Sequence, residues 1–346
     1  MARHVYGVDF GTGNIKIYNG ATKKLMNEKN IIAIKNEKEV FSIGNEAFEM
    51  YEKAPDEISV TFPVKYGVIA DMNNMTSLFE QFFHKANLPK KRKSGDFYIA
   101  IPTDISEVEK RAFYDLVVDS KIKVKDIAVV DKPIADAVGI GIDINNPKGN
   151  MIINIGADTT EITVTSLGGI VLGKIIKMGG NRLDEAICNI VRKKYNILIG
   201  MKTAEIIKIT LANAMMEEDE EDQEVFQNTL KVFGRNIITG LPANKVVSAD
   251  LVSEAINETL YSLVDSIKIL LERTPPELSA DIIDTGIFLT GGSASIPRLD
   301  QLISKATGLK VNVVENPALT VINGLAEIIN NPKLSDLLYT PRQNEY

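Results

Sequence analysis

Apolar and polar residues alternate at the start of the chain in a pattern typical of paired strands. The stretches HVYGVDFG and IKIYNG flank a short turn at Thr12-Gly13-Asn14, which predicts a β-hairpin. Further short strands are predicted in NIIAIKN and VFSIGNEA. The pattern changes at Asp71–Asn87, where apolar residues recur at helical spacing and predict an amphipathic helix.

A strand-then-helix order follows. DFYIAIP is typical of a buried strand, and the next helix begins with Ser106 and Glu109 at the spacing of a capping box. DIAVVDKP and IADAVGIGI predict a second strand and a second helix.

The second half of the chain restarts the same scheme with the predicted hairpin MIINIGADTTEITVTSLGGIVLGKIIKMG. The later predicted elements are helices at Leu183–Tyr195, Thr203–Met216 and Asp250–Glu272, a β-rich segment at Phe226–Val247, the strand TGIFLTGG, the helix IPRLDQLISKATG, the strand VNVVENP and the helix Thr320–Asn330. Each half therefore opens with a hairpin around a Gly- and Thr-rich turn, VDFGTGNIKIY or INIGADTTEITV, which indicates an internal duplication. Two such domains would hold a ligand in the cleft between the two turns.

Composition narrows the class of protein. With 346 residues, 45% apolar and 25% charged, the chain is expected to form about two globular domains. A net charge of −7 argues against general nucleic-acid binding, which requires a basic surface. No apolar run reaches the roughly 18 residues of a membrane span, and the first residues do not resemble a signal peptide, so we expect a cytoplasmic protein.

Cysteine and histidine offer little chemistry. The single cysteine, Cys188, excludes an internal disulfide, and its helical surroundings predict a buried, inert thiol. His4 and His84 are widely separated, so neither a Ser-His-Asp triad nor a zinc site is expected.

From about Val5 to Asn330 the chain resembles the actin/Hsp70/sugar-kinase superfamily, and within it the MreB family of bacterial actin homologues. The stretches that carry the resemblance are GVDFGTGNIKIY, YGVIADMNNM, IPTDISEVEKRA, GNMIINIGADTTEITVTSLGGIV, LDEAICNIVRKKYNILIG, TAEIIKI, ERTPPELSADIIDTGIFLTGG and GLAEI. TPPELSADI together with VRKKYNILIG is typical of MreB. Where the chain departs from MreB, it resembles the diverged MreB paralogues of wall-less, helical Spiroplasma.

The resemblance implies an α/β, actin-like fold, in which two duplicated RNase H-like α/β domains flank a nucleotide cleft and each carries a smaller subdomain. Domain I would comprise residues 1–145 and 317–346, with subdomain IB at about 32–66. Domain II would comprise residues 146–316, with subdomain IIB at about 182–249. The implied function is a cytoskeletal protein that binds ATP or ADP with Mg²⁺ and polymerises, alone or with other MreB paralogues. Its filaments would support cell shape or, in a wall-less cell, helicity and motility.

The resemblance also implies site residues in the first half. Asp9 would hold the hydration shell of Mg²⁺, and the turn around the β- and γ-phosphates would comprise Gly11, Thr12, Gly13 and Asn14. Lys16 is either a phosphate contact or a solvated strand residue.

In the second half the resemblance implies a second phosphate loop, a ribose-side turn, a pair of residues around adenine and ribose, and a glycine loop that lets the nucleotide approach the backbone closely. These are, in that order, Gly156, Ala157, Asp158, Thr159 and Thr160; Gly179 and Gly180; Glu205 and Lys208; and Gly291, Gly292 and Ser293.

The resemblance places the family's catalytic groups at Lys132, Asn154 and Thr159. Three positions in or beside this set depart from the family pattern. Asn154 replaces an aspartate that helps to hold Mg²⁺, and Lys132 replaces a glutamate that positions the attacking water. Asp158 replaces a glycine, and we expect Lys132 to neutralise it. The adjacent Asp131 would point the other way. Because such water-activating groups contribute roughly 10²–10⁴ in rate, ATP hydrolysis is predicted to be very slow or lost.

Two charged segments have open interpretations. The loop HKANLPKKRKSGD is either a weak contact with an anionic membrane at its inner face or a solvated loop, and its contact residues would be Leu88, Lys90, Lys91, Arg92 and Lys93. The acidic run Met216–Glu224 is either a solvated segment or a partner site.

Two functions on the same fold compete with a filament protein. A sugar-kinase-like phosphotransferase would need a catalytic aspartate poised over the acceptor hydroxyl, and no convincing candidate is present in the second half. A chaperone is not expected, since the chain stops at Tyr346 without a substrate-binding domain.

Overall fold

The computed structural model describes residues 4–85, 94–215 and 228–341. By its internal contacts the chain divides into two compact units. The first unit contains Met1–Lys148, Thr163–Ile175 and Leu319–Tyr346, and the second contains Gly149–Ile162 and Ile176–Ala318. The domain and subdomain bounds implied by the resemblance stay a prediction.

The strands are β1 (Val5–Phe10), β2 (Asn14–Asn19), β3 (Lys24–Lys29), β4 (Ile32–Lys35), β5 (Glu39–Ile43), β6 (Ile58–Thr61), β7 (Val64–Lys65), β8 (Val68–Ile69), β9 (Gly95–Ile101), β10 (Val124–Asp131), β11 (Asn150–Ile155), β12 (Thr160–Ser166), β13 (Gly169–Ile176), β14 (Ile197–Leu198), β15 (Thr229–Asn236), β16 (Pro242–Ser248), β17 (Ile287–Thr290) and β18 (Val311–Val313).

The α-helices are α1 (Gly44–Met50), α2 (Met72–Lys85), α3 (Glu107–Val118), α4 (Lys132–Ile140), α5 (Gly180–Tyr195), α6 (Met201–Leu211), α7 (Ala249–Arg273), α8 (Pro276–Thr285), α9 (Leu299–Thr307) and α10 (Thr320–Asn330). Short 3-10 helices cover Gly292–Ser295, Pro317–Leu319 and Pro332–Leu337.

The first unit is organised around a sheet with the strand order β10-β9-β1-β2-β3. The predicted hairpin forms its antiparallel β1–β2 pair, while β1, β9 and β10 run parallel to one another. The carboxyl ends of these three strands therefore meet at one edge of the sheet. Every residue of β1 is buried, which is typical of a central strand covered on both faces.

Helix α2 covers the apolar core of this sheet. Met75, Leu78, Phe79 and Phe82 lie along one face of the helix and are fully buried. Phe79 packs its ring against Phe10, with centroids 5.4 Å apart, and both belong to the main core cluster. The apolar spacing that predicted the helix therefore also identified its buried face.

Smaller sheets complete the first unit. One has the strand order β5-β4-β6, and helix α1 packs on it through the buried Ala47. A second pairs β7 with β8. The capping box predicted for the next helix is present, since the Ser106 side chain accepts from the Glu109 N–H and Glu109 binds the Ser106 N–H.

In the second unit, β11 pairs in parallel with β17, and β17 pairs in parallel with β18. These strands belong to a sheet with the order β13-β12-β11-β17-β18. A separate antiparallel sheet joins β14, β15 and β16, which accounts for the β-rich segment predicted there. Helix α7 buries one long apolar stripe, which includes Ile256, Leu260, Leu263 and Ile267.

The structure corrects several element ends. Helix α6 ends at Leu211 rather than Met216, because Ala212 is extended (φ −66°, ψ 137°). The helix predicted from IPRLDQ begins only at Leu299, since Arg298 has a left-handed φ of 59°. Helix α4 begins at Lys132, before Pro133, because a proline in the first helical turn needs no N–H partner.

Cys188 is also a correction, since the structure leaves this predicted buried thiol only partly buried. Its sulfur lies 3.7 Å from the carbonyl oxygen of Ile199, in hydrogen-bonding position.

Helices α4 and α10 cross at two glycines. A Cβ atom on Gly324 would overlap the carbonyl oxygen of Ala135, and one on Gly139 would overlap the carbonyl oxygen of Thr320. At the same crossing the Thr320 hydroxyl donates a hydrogen bond to the buried Asp136 carboxylate. The two backbones therefore approach too closely for any side chain larger than hydrogen at either position.

We expect Gly324→Ala to lower the free energy of unfolding by about 1–3 kcal/mol, because the methyl group must push the two helices apart. The matched control is Gly169→Ala in the same unit, where the new methyl would meet only the Ser166 carbonyl at 3.7 Å. Urea unfolding of both variants checks this, and equal stability of the two would contradict the close crossing.

Candidate functional site

Asp9, near the end of β1, is bound by two lysines. Lys16 lies directly opposite on β2, and its Nζ is 2.9 Å from Asp9 Oδ2. Lys132 is the first residue of α4, and its Nζ is 3.5 Å from Asp9 Oδ1. Because β1 and β10 end at the same edge of the sheet and α4 follows β10 directly, Lys132 comes beside Asp9.

This arrangement bears on two predictions. The Lys16 side chain is only 12% exposed, so the alternative of a solvated strand residue is wrong. Its role as a phosphate contact and the predicted charge pair between Lys132 and Asp158 stay predictions.

Burial would by itself raise the pKa of the Asp9 carboxyl, but its two lysine partners oppose this effect. Lys132, followed by Lys16, outweighs the burial and lowers the pKa of Asp9 to about 2. Asp9 is therefore a charged carboxylate at neutral pH.

The turn Gly11–Asn14 is held by two residues that sequence reasoning missed. The side-chain amide of Asn30 donates to the Gly11 carbonyl (2.8 Å), and the Asn30 N–H donates to the Gly13 carbonyl (3.0 Å). The Thr12 hydroxyl accepts from the Gly67 N–H at 3.3 Å. Asn30 is fully buried beside an apolar run, and a polar residue in that position is the signal that could have identified it.

The predicted second phosphate loop forms a tight turn at Gly156. The Gly156 N–H donates to the Thr159 carbonyl at 2.8 Å. The Gly156 carbonyl accepts from the Gly180 N–H (3.0 Å) and from the Ser293 hydroxyl (3.2 Å). One carbonyl thus joins the loop, the start of α5 and the 3-10 helix at Gly292–Ser295.

Asn181, which the sequence did not single out, fixes the rest of this loop. Its side-chain amide donates to Asp158 Oδ1 at 2.7 Å, and its N–H donates to the Ala157 carbonyl at 2.8 Å. Thr160 is fully buried, and its hydroxyl donates to the Met178 carbonyl at 2.8 Å, inside the second unit.

Lys208 ties α6 to the start of α5. Its Nζ lies 2.8 Å from Asp184 Oδ2 and donates to the Gly180 carbonyl at 2.9 Å. Asp184 was not predicted, although it lies beside Leu183 and Ile187 on the buried face of α5. An acidic residue on an apolar helix face is the signal that could have revealed it.

The remaining predicted residues of the second unit lie at strand and helix ends. Asn154 is on β11 in register with Thr290 on β17. Gly291 follows Thr290 with a φ of +84°, which favours glycine, and its N–H donates to the Pro317 carbonyl. Gly179 is the N-cap of α5, Glu205 precedes Lys208 by one turn of α6, and Gly292 begins the 3-10 helix.

Asp131 is engaged by a residue that was not anticipated. The Tyr339 hydroxyl donates to Asp131 Oδ1 at 2.8 Å. Burial raises the pKa of the Asp131 carboxyl above its ordinary value.

Residues 86–93 of the basic loop and the whole acidic run lie outside the described residues. The predicted membrane contacts there are Leu88, Lys90, Lys91, Arg92 and Lys93. Among residues 4–85, 94–215 and 228–341, no helix has both the length and the apolar composition needed to span a membrane.

We expect Asp9 to contribute to stability in a pH-dependent way. Its folded pKa of about 2 lies below the ordinary 3.8, so the contribution is fully present above about pH 4 and is lost as the pH falls through about 2. At pH 3, about 1 kcal/mol of the contribution is already lost.

Urea unfolding at pH 5 and pH 3 measures this loss. In Asp9→Asn the fall in stability between the two pH values should be about 1 kcal/mol smaller than in the wild type. An equal fall in stability between pH 5 and pH 3 in the two proteins would contradict the paired carboxylate.

Comparisons with known proteins agree with this architecture. The family model "MreB/Mbl protein" matches residues 3–336. The Cell shape-determining protein Mbl of Bacillus subtilis is 36% identical over 326 residues, which cover 94% of this chain and 95% of that protein. The Cell shape-determining protein MreB of Escherichia coli is 32% identical over 323 residues, with 92% and 90% covered.

Solved structures show the same fold. The crystal structure of MreB5 of Spiroplasma citri bound to AMPPNP has a TM-score of 0.89 at 28% identity and covers 97% of this chain and 98% of that one. The ADP-bound form has a TM-score of 0.86 at 28% identity, with 95% and 99% covered. The MamK double helical filament has a TM-score of 0.76 at 20% identity, with 95% and 99% covered, and shows the fold alone. The predicted α/β, actin-like fold is confirmed, and the chain belongs to the MreB/Mbl family of bacterial actin homologues.

Proposed function

We propose that this chain is a cytoskeletal protein that binds ATP or ADP and assembles into filaments. Its relatives over more than 90% of its length are named cell shape-determining proteins. The Spiroplasma citri MreB5 structures contain AMPPNP or ADP, and MamK, which has the same fold, builds a double helical filament. The alternative of a sugar-kinase-like phosphotransferase is not favoured, because the relatives that match the chain nearly end to end are cell shape-determining proteins.

The observation that carries the proposal is the hydrogen-bonded cluster of Gly156, Gly180, Lys208 and Ser293. Residues from four separate parts of the second half, each selected by the resemblance, contact one another in the second unit. The cluster lies at the N-terminus of α5, where the helix dipole favours an anion such as a phosphate.

Gly292 allows a direct test of nucleotide binding. A Cβ atom added there meets no heavy atom within 4 Å, so Gly292→Val is expected to leave the unliganded protein intact. The valine would instead occupy the space that the resemblance assigns to the nucleotide. ATP at about 100 times its Kd should stabilise the wild type by about 2.7 kcal/mol, measured as a rise in Tm, and should stabilise the variant far less.

Gly169→Val is the matched control, since the same side chain there lies in the first unit at an exposed position. It should keep the full rise in Tm. A wild type whose Tm does not respond to ATP, or a Gly292→Val protein that responds normally, would contradict the proposed site.

Sedimentation and negative-stain imaging of the same three proteins with ATP test filament assembly. A wild type that stays in the supernatant and forms no filaments would contradict the proposed assembly.

Hydrolysis of the bound ATP is proposed to be very slow or lost. A lysine at position 132 is protonated and cannot accept a proton from water, and its ammonium already lies beside Asp9. The neutral amide of Asn154 replaces a carboxylate at the end of β11. Asp158, held by Asn181, adds a negative charge to the loop that would surround the phosphates.

We expect the triple variant Lys132→Glu, Asn154→Asp and Asp158→Gly to release phosphate at least about 10²-fold faster than the wild type, because it restores groups of the family pattern. Lys132→Glu alone should gain little, since it leaves the Asp158 charge in place. Single-turnover hydrolysis at saturating Mg-ATP compares the three proteins. A triple variant that binds ATP and remains inactive would show that the defect lies elsewhere, and a wild type with rapid turnover would contradict the proposed loss.

Four further predictions stay proposals. The resemblance supports a cytoplasmic protein, with association with other MreB paralogues and with an anionic membrane through the basic loop. It also predicts Mg²⁺ at Asp9, and the two lysines beside that carboxylate bear directly on this prediction.

A further inference from the structure

The surroundings of Asp9 do not suit a magnesium ion. Mg²⁺ requires oxygen ligands in near-octahedral geometry and keeps several waters, which a carboxylate holds by accepting their hydrogen bonds. Here Lys16 Nζ lies 2.9 Å from one carboxylate oxygen of Asp9, and Lys132 Nζ lies 3.5 Å from the other.

The charge of this cluster is positive. One carboxylate and two ammonium groups sum to −1 + 1 + 1 = +1. A divalent cation brought to Asp9 would meet this net positive charge at short range, whereas an anion would be attracted.

The cluster is also shielded from water and is built on rigid elements. The side chains of Asp9, Lys16 and Lys132 are 3%, 12% and 21% exposed, so solvent and salt screen their interactions only weakly. Asp9 and Lys16 are cross-strand neighbours, and Lys132 is fixed by the start of α4. Separating either lysine from Asp9 would leave a poorly solvated charge without its partner, which is costly.

Phosphate is the ligand that this cluster suits. Asp9 lies two residues before the turn Gly11–Asn14, and that turn is the predicted site of the β- and γ-phosphates. An ammonium carries three N–H donors, so a lysine that binds a carboxylate can also bind a phosphate oxygen. Lysine acts on phosphates as a compact point charge, which is the role that Mg²⁺ otherwise fills.

We propose that Lys16 and Lys132 replace Mg²⁺ in this chain, so that ATP binds with the same affinity whether or not Mg²⁺ is present. The inference rests on the proposed nucleotide binding and specifies its chemistry: the ligand is the metal-free nucleoside triphosphate as well as its magnesium complex.

The first experiment uses the wild-type chain and needs no substitution. Calorimetric titration with ATP is carried out once with excess Mg²⁺ and once with excess EDTA. The two Kd values should agree within about threefold. A larger loss of affinity in EDTA overturns the inference and leaves the proposed function standing, whereas absence of ATP binding under both conditions overturns the proposed function and the inference with it.

A pair of variants tests the lysines themselves. Lys16→Met together with Lys132→Met leaves Asp9 as a lone carboxylate, and we expect the affinity for ATP to fall at least about tenfold in EDTA and to recover in part with Mg²⁺. The control is Lys24→Met on the exposed strand β3, which should behave as the wild type. A folded double variant with unchanged affinity in EDTA would show that the lysines do not replace the metal.

A circular dichroism spectrum and the unfolding midpoint establish that the double variant is folded. If it is not, Lys132→Gln alone replaces it, because this variant removes one ammonium and keeps a hydrogen-bond donor for Asp9. It too should become dependent on Mg²⁺, and binding that remains equal in EDTA and Mg²⁺ at the wild-type affinity would overturn the role of Lys132.

Discussion

The buried carboxylate of Asp9 is the constraint around which the edge of the first sheet is arranged. A charge removed from water is tolerated only when it is paired and hydrogen-bonded. Lys16 meets this requirement from the neighbouring strand, and Lys132 meets it from the start of a helix. The ion pairs therefore link β1, β2 and α4 at the edge from which the turn Gly11–Asn14 begins, and Asn30 then fixes the backbone of that turn.

The second unit applies the same principle with different residues. Lys208 pairs with the buried Asp184 and also binds the Gly180 carbonyl, while Asn181 satisfies Asp158. Loops that leave a sheet have few backbone partners of their own, so side chains from the following helix supply them. A loop held in this way is pre-organised for a ligand, because its groups do not have to be ordered on binding.

Family membership and site chemistry are separate properties of this chain. The MreB/Mbl match covers almost the whole length, yet two of the positions that the resemblance assigns to catalytic groups carry a lysine and an amide. The fold depends on buried apolar strands and helix faces, which these substitutions leave in place. The local electrostatics depend on a few side chains, and Lys132 together with Lys16 gives the neighbourhood of Asp9 a net positive charge.

The sequence by itself determined the family, the hairpin at each Gly- and Thr-rich turn, the apolar face of α2 and the capping box of α3, because each depends on residues that are close along the chain. It placed the end of α6 wrongly at Met216 instead of Leu211, because the extended backbone at Ala212 overrides the helical spacing there. The partners of Lys16, Lys132 and Lys208 were decided only by the tertiary structure. A side chain's ion pair depends on which strands are neighbours and which helix begins beside them, and no local pattern of residues encodes that arrangement.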